Sequence, residues 1–409
     1  MHNTPLPMPS IGTPFTTAPM ASHLFRGALF LSLLFAGLAH AASPDGGITE
    51  LQTEVQTRIV RLGPTPGAPI STPMRLPQPT QDSTAEVAAL LKPPLTADNA
   101  VRIALLNNPT LQAALGMASI DITDISRADH PAKRRARQDI SALSARASRA
   151  WVNAVAAEQS VRLLRTAKES AETTGELSRR MVQAGNTPKL AQARTQLALS
   201  DATVALARAQ QQAFSAREAL IVALGLWGAQ TDFQLPQTLP ALPAQTMDIA
   251  DVEARALLAR DELALARTEW QRKSAAPATD ADGLWDALRD AAQVRGTAVQ
   301  VRSQAREAAF AYRTAYDVAQ HLQTEVLPLR NFVNDEMVLR YNGMLTSLFD
   351  VLADSQAATL AANATLEAQR DFWMAYIDLS ALLAGVPLDS LNTRSNAISA
   401  APGAPAAAH

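Results

Sequence analysis

LTADNAVRIALLNNPTLQAAL (95–115) decides the fold, because its pattern is met a second time further along the chain. Thr96 is placed to cap a helix whose apolar face runs Val101, Ala104, Leu105. Pro109 then forces Asn108 out of helical geometry, so one short helix ends there and another begins. Ala104-Leu105-Leu106 followed by Leu111 recurs as Ala256-Leu257-Leu258 followed by Leu263. Beyond these, Ala150, Trp151 and Ala154 recur as Ala311, Tyr312 and Ala315. Each half therefore reads as a short helix, a connector, and a long helix ending in a Gly-bearing turn. A duplicated unit of this kind points to an assembly and not to a catalytic site.

From about Arg134 to Met181 there is no proline and one glycine, Gly175. At 1.5 Å per residue this is a helix on the order of 70 Å long, too long to bury itself within a compact globule. After the turn Gly185-Asn186-Thr187-Pro188 a return helix carries three stripes. Leu190, Leu197 and Val204 form the first, Leu199, Leu206, Ala213 and Leu220 the second, and Ala202, Ala209 and Ala216 the third. Three stripes predict neighbours on more than one side, with the alanine stripe expected to be a close seam between hairpins of different copies. The second half repeats the plan after FQLPQTLPALP (233–243), whose spaced prolines favour an extended path. Its long helix is read from about Leu284 to Arg340, with a kink at Pro328. The turn RYNGMLTSLFDVLADSQ (340–356) leads into a return helix carrying Leu345, Leu352 and Leu366, which ends at Leu383 and Gly385. The expected class is all-α, with long antiparallel helical hairpins in two tandem repeats.

Composition agrees: 47% of residues are hydrophobic but only 5% are aromatic, a surplus of Ala, Leu and Val that suits long helices. A net charge of −2 gives no bulk electrostatic reason to expect nucleic acid or an anionic membrane as the main partner. Cysteine is absent, which excludes disulfides, thiolate metal sites, a cysteine nucleophile and a lipidated N-terminal cysteine together. The histidines (His2, His23, His40, His130, His321, His409) form no pair at metal-ligand spacing, and no phosphate loop or nucleophile elbow is found. His321 and Glu325 share a helical face, which reads as a solvated surface. No enzymatic activity, cofactor or metal is expected.

The chain opens with a targeting segment, residues 1–41. Arg26 precedes the apolar run GALFLSLLFAGLA (27–39), and Ala39-His40-Ala41 offers a cleavage site before Ala42, so export is expected. Met20 is an alternative start that gives the leader a more ordinary length. Residues 42–94 are read as a Pro-rich extended strap, 95–228 as the first repeat, and 229–249 as a Pro-rich linker. The second repeat follows at 250–387, and 388–409 is read as a disordered tail.

At these motifs the chain resembles the TolC family of outer-membrane efflux proteins over about residues 95–387. The likeness lies in the LTxxxAVxxALxxNPxLxxA opening, the proline-spaced linker, the duplication, and a helix ending in an R-Y-x-x-G-x-x-S-x-x-D turn. Arg340, Tyr341, Ser347 and Asp350 fall in register with that turn, while Met344 stands at the usual glycine position and Gly343 one residue early. The resemblance implies a homotrimer forming a periplasmic helical barrel, a passive conduit for export that works with a periplasmic adaptor (a membrane fusion protein) and an inner-membrane pump; the alternative reading is a periplasmic structural or adaptor-like coiled-coil protein without channel activity. It implies that the hairpin tips, Gly185, Asn186 and Thr187 with Gly343, Met344 and Ser347, meet the adaptor. Glycine at Gly185 and Gly343 is expected to supply the left-handed backbone of these turns. Asp350 and Asp354 are candidates for a pore aperture, or for exposed helix charge. One departure stands out: where the family inserts a strand hairpin in each repeat, only RADHPAKRRARQD (127–139) and KSAAPATDADG (273–283) remain. A membrane strand needs about 9–11 residues with alternating apolar positions, so neither connector supplies a hairpin, and little or no β-barrel is expected. By resemblance the place is the outer membrane; without a barrel it is the periplasm. The basic run Lys133, Arg134, Arg135 and Arg137 is read as a solvated cap, with anionic lipid headgroups as the alternative.

Overall fold

A computed structural model describes residues 84–114, 131–274 and 281–388, all within the unit Ala42–His409. The expected leader, most of the strap, the tail beyond 388, and residues 115–130 and 275–280 at the two connectors lie outside the described residues. The described helices are α1 (Thr84–Leu91), α2 (Ala97–Asn107), α3 (Pro131–Gln183), α4 (Lys189–Leu224), α5 (Val252–Ala259), α6 (Asp261–Ser274), α7 (Ala281–His321), α8 (Leu327–Asn342) and α9 (Leu348–Leu383). No strand occurs among them. None of the described helices is long and apolar enough to cross a membrane.

The repeat holds in three dimensions. Thr96 caps α2 by accepting from the Asn99 amide at 3.2 Å, and Asn108, before Pro109, is extended at φ −70°, ψ 116°. Residues 109–114 resume the helix, as α6 follows α5 in the second half. α3 then runs 53 residues, about 80 Å at 1.5 Å per residue, and α4 returns beside it. α7 and α8 make the equivalent ascent, and α9 the return.

Several boundaries differ from the sequence reading. The strap carries a helix, α1, whose Val87 and Leu91 are buried. α3 begins at Pro131, inside the first connector, because proline at a first helical position loses no hydrogen bond. At the kink expected near Pro328 the helix is interrupted by a π-helical turn, Leu322–Val326. Proline cannot donate to the carbonyl four residues back, and the wider turn accommodates the missing donor just before α8.

The helices form one layer. α4 packs on α3, α3 on α9, and α9 on α7 and α8, while α2 and α5 lie on α3 and α7. α4 and α7–α8 are not packed on each other, so they are the two edges of the layer. The core lies toward the bases of the hairpins, around Ile140, Trp151, Val155, Leu220, Tyr312, Phe372, Trp373 and Ile377. Phe372 stacks tilted or edge-on against Tyr312, Tyr316, Trp373 and Tyr376 at centroid distances of 5.0–6.4 Å. Burial raises the pKa of Tyr312 and Tyr376. Toward the tips burial thins out, and α8 buries no residue at all.

The linker is not a loose tether. Proline-spaced backbone leaves carbonyls without strand partners, and side chains from four helices donate to them. Arg217 on α4 reaches the Phe233 carbonyl at 2.5 Å and the Thr231 carbonyl at 3.4 Å, and lies 4.3 Å over the Phe233 ring. Arg162 on α3 donates to Gln237, Gln369 and Trp373 on α9 both donate to Pro240, and Tyr316 on α7 donates to Pro243. The segment thus crosses one face of the layer and fastens it.

Candidate functional site

The first tip closes with a Schellman motif. The Asn186 amide donates to Met181 at 2.9 Å and the Gly185 amide to Val182 at 3.0 Å, which places Gly185 in the left-handed region at φ +78°. Nothing lies within 4 Å of where a Gly185 Cβ would stand, so its glycine is needed for backbone conformation alone.

At the second tip the same motif is made by other residues. Leu345 donates to Arg340 at 2.8 Å and Met344 to Tyr341 at 2.9 Å, so Met344, not Gly343, occupies the left-handed position, at φ +61°. Gly343 sits at an ordinary φ of −81°, which corrects the expectation that it supplies the turn. Met344 is the only non-glycine residue with positive φ among the described residues, an arrangement that costs on the order of 1 kcal/mol. It is 94% exposed, and Leu345 beside it is 80% exposed.

Ser347 starts α9 with a capping box. Its hydroxyl accepts from the Asp350 amide at 3.2 Å, and one Asp350 oxygen accepts from the Ser347 amide at 3.1 Å, the Ser347 hydroxyl at 2.7 Å and the Thr346 hydroxyl at 3.0 Å. These bonds, the Ser347 hydroxyl first, hold the Asp350 carboxyl below its ordinary range. Of the two readings left open for Asp350, helix-end charge is therefore the one with structural partners. Asp354 lies one turn further along α9, half-buried.

The edges of the layer carry exposed apolar side chains. Leu190, Leu197, Val204, Phe214 and Val222 are exposed along α4, and Val318, Phe310, Phe332 and Leu339 along α7 and α8. The alanine stripe behaves otherwise: Ala209 is only 7% exposed and Ala216 packs on the core, so it faces neighbouring helices of its own chain. The expectation that the alanines form a seam between copies is thus corrected, since Ala209 is covered within its own chain while Leu190 and Leu197 are exposed. The helical period placed both stripes on α4 but could not say which one faces α3.

His321 and Glu325 approach to 3.3 Å on an exposed face, and the described residues hold no group of three metal-ligating side chains. Arg137 from the basic run pairs with Asp261, the first residue of α6, at 2.9 Å.

The arrangement of two long helical hairpins with a linker crossing one face is the fold of TolC-family channels. The chain is similar to CusC, solved in a study of folding and transmembrane channel formation, at 15% identity with a TM-score of 0.52 over 71% of this chain and 95% of that one. It is similar to the outer-membrane channel OprN at 14% identity and a TM-score of 0.51, over 80% and 98% of the two chains. The Campylobacter jejuni CmeC outer membrane channel gives 14% identity and a TM-score of 0.51, over 74% and 71%. No family profile matches the sequence, and no curated protein is similar to it in sequence.

Proposed function

We propose that copies of this chain close into a passive helical conduit, a homotrimer of the TolC type exported to the periplasm. Through it an adaptor and an inner-membrane pump would expel solutes. The observation that carries this reading is the match between the two edges of the layer. Leu190 and Leu339 lie equally far from the left-handed residues of their tips, and so do Leu197 and Phe332; Phe214 and Val222 then follow in the same order as Val318 and Phe310. Since α4 leaves its tip and α8 approaches its own, a neighbouring copy with tips at the same end sets the two stripes antiparallel. A contact of one edge with the other edge is heterologous, and such contacts form a ring when the rotation between copies closes. So much continuous apolar surface is otherwise unusual on a monomer.

The barrel is the part this chain lacks the length to build. Two membrane strands and a turn need about 20 residues, and neither 115–130 nor 275–280 reaches that. Open strands cannot satisfy their backbone in lipid, so the conduit would sit in the periplasm and meet the membrane through other proteins. The tips carrying Gly185, Asn186, Thr187, Gly343, Met344 and Ser347 would meet the adaptor. With Asp350 engaged in its cap, Asp354 is the acid left to narrow an aperture.

Electron microscopy of the purified mature chain tests the reading. Three-fold rings with an open axis are expected, and uniform single hairpin bundles at micromolar concentration would contradict it.

A further inference from the structure

A groove of about 350 Å³ runs over α3, between α4 and α9. Its floor is formed by small residues of α3, among them Asn153, Ala157 and Ser160. Gln212 of α4 stands on one wall, and Asn363 and Glu367 of α9 on the other. At 100° per residue, Asn153 and Ala157 lie across α3 from Arg162 and Gln159, the two α3 residues that bond the linker backbone. The groove therefore opens on the face of α3 that the linker leaves bare. In a closed conduit with the linker outside, that face is the bore.

The groove has a definite electrostatic character. Ser160 donates to the side-chain Oδ1 of Asn363 at 3.0 Å, and the Asn363 Nδ2 donates in turn to a Glu367 carboxylate oxygen at 2.8 Å. Among the described residues, no cationic side chain pairs with Glu367. The guanidinium of Arg370, which also lines the groove, is held by Asp371 at 2.7 and 2.9 Å and is thus engaged elsewhere. What remains is one carboxylate without a counter-ion, hydroxyl and amide groups beside it, and alanine walls.

We infer that this groove is a weak binding site for small organic cations, with Glu367 facing the cationic centre and the alanine floor covering an apolar body. The volume falls at the small end of ligand sites, and the openness of Glu367 to water keeps the attraction weak. Weak binding is what a conduit requires, since a solute held tightly would block passage. The inference rests on the conduit reading only for its place in the bore. The groove lies within a single copy, so its binding can be measured whatever the state of assembly, and either claim can fail without the other.

Ethidium is a suitable probe, being a fluorescent monocation with an apolar body, and anilinonaphthalene sulfonate serves as an anion of comparable apolar character. Titrated into the mature chain and followed by anisotropy, ethidium is expected to bind. Replacing Glu367→Gln should weaken it by about fivefold, the scale of one solvent-exposed ion pair. Ala157→Leu, which fills the floor, should weaken it as well, with circular dichroism confirming unchanged helicity. Glu336→Gln, on the exposed face of α8, should leave ethidium binding alone, and Glu367→Gln should not weaken the anion. Absence of ethidium binding to the unaltered chain, or equal binding by both groove variants, overturns the site. A loss with Ala157→Leu but none with Glu367→Gln overturns the cationic class.

Discussion

Gly385 lies so close to the carbonyl of Ala259 that a Cβ built on it would stand 2.3 Å from that oxygen. Gly225 stands in the same relation to Asn107 in the first repeat, at 2.7 Å, and accepts from the Asn107 side chain at 2.6 Å. Both glycines are left-handed, at φ +90° and +68°, and each locks the base of its hairpin against the end of the short helix.

Gly225→Ala and Gly385→Ala should accordingly destabilise by more than about 2 kcal/mol each, since strain and a backbone clash combine. Gly185→Ala, with equal strain and open space, should cost only about 1 kcal/mol. Urea unfolding of the mature chain compares them. Equal losses at all three positions would mean that the clash is relieved by a small shift.

Met344→Gly should stabilise the chain by up to about 1 kcal/mol by removing left-handed strain, while Gly343→Ala should be close to neutral or better. Thermal unfolding measures both. If Gly343→Ala is the more damaging change, the turn is made as the sequence alone suggests and not as described above.

Removing the linker's anchor is expected to free it. Arg217→Met deletes the charged donor to Phe233 and Thr231 and the Glu158 pair at 3.1 Å, and should cost about 1.5–3 kcal/mol. Hydrogen exchange should rise first in residues 231–243. Arg330→Met on the exposed face of α8 is the control. Unchanged linker protection would show that the other four donors suffice.

The second tip should respond to acid. Because the folded Asp350 carboxyl is held below its ordinary value of 3.8, its cap is fully present above that value and is lost as pH falls through the folded pKa. Exchange of amides 347–351 should therefore accelerate, relative to intrinsic rates, only below about pH 4. Asp350→Asn should flatten that dependence. An unchanged acid response in this variant would assign the titration to another group.

The repeat is legible because helices write a period into sequence, with Pro109 and Pro188 punctuating the first half and Gly225 and Gly385 closing the two halves at corresponding places. The long hairpins and their turns could therefore be placed to within a few residues. What the period cannot carry is partner choice. Leu197 and Ala209 both fit an apolar stripe on α4, yet one is exposed and the other buried, because only tertiary packing decides which stripe meets α3. The linker clamp was hidden for a related reason: Pro240 is held by Gln369 and Trp373, more than a hundred residues away, and no local pattern marks a distant donor. Met344 was half legible. Its place in the turn motif was evident, but the left-handed backbone it adopts is read only from the hydrogen bonds of Arg340 and Tyr341.

Assembly through the two edges is the central claim, and disulfide trapping tests it most directly because the chain contains no cysteine. Leu197→Cys and Phe332→Cys, both at exposed positions, are introduced together and oxidised in the purified mature protein. Cross-linked dimers and closed trimers should form, and neither single variant should trap a trimer. A double variant that remains monomeric under oxidation, while sedimenting as one folded copy, would contradict the conduit.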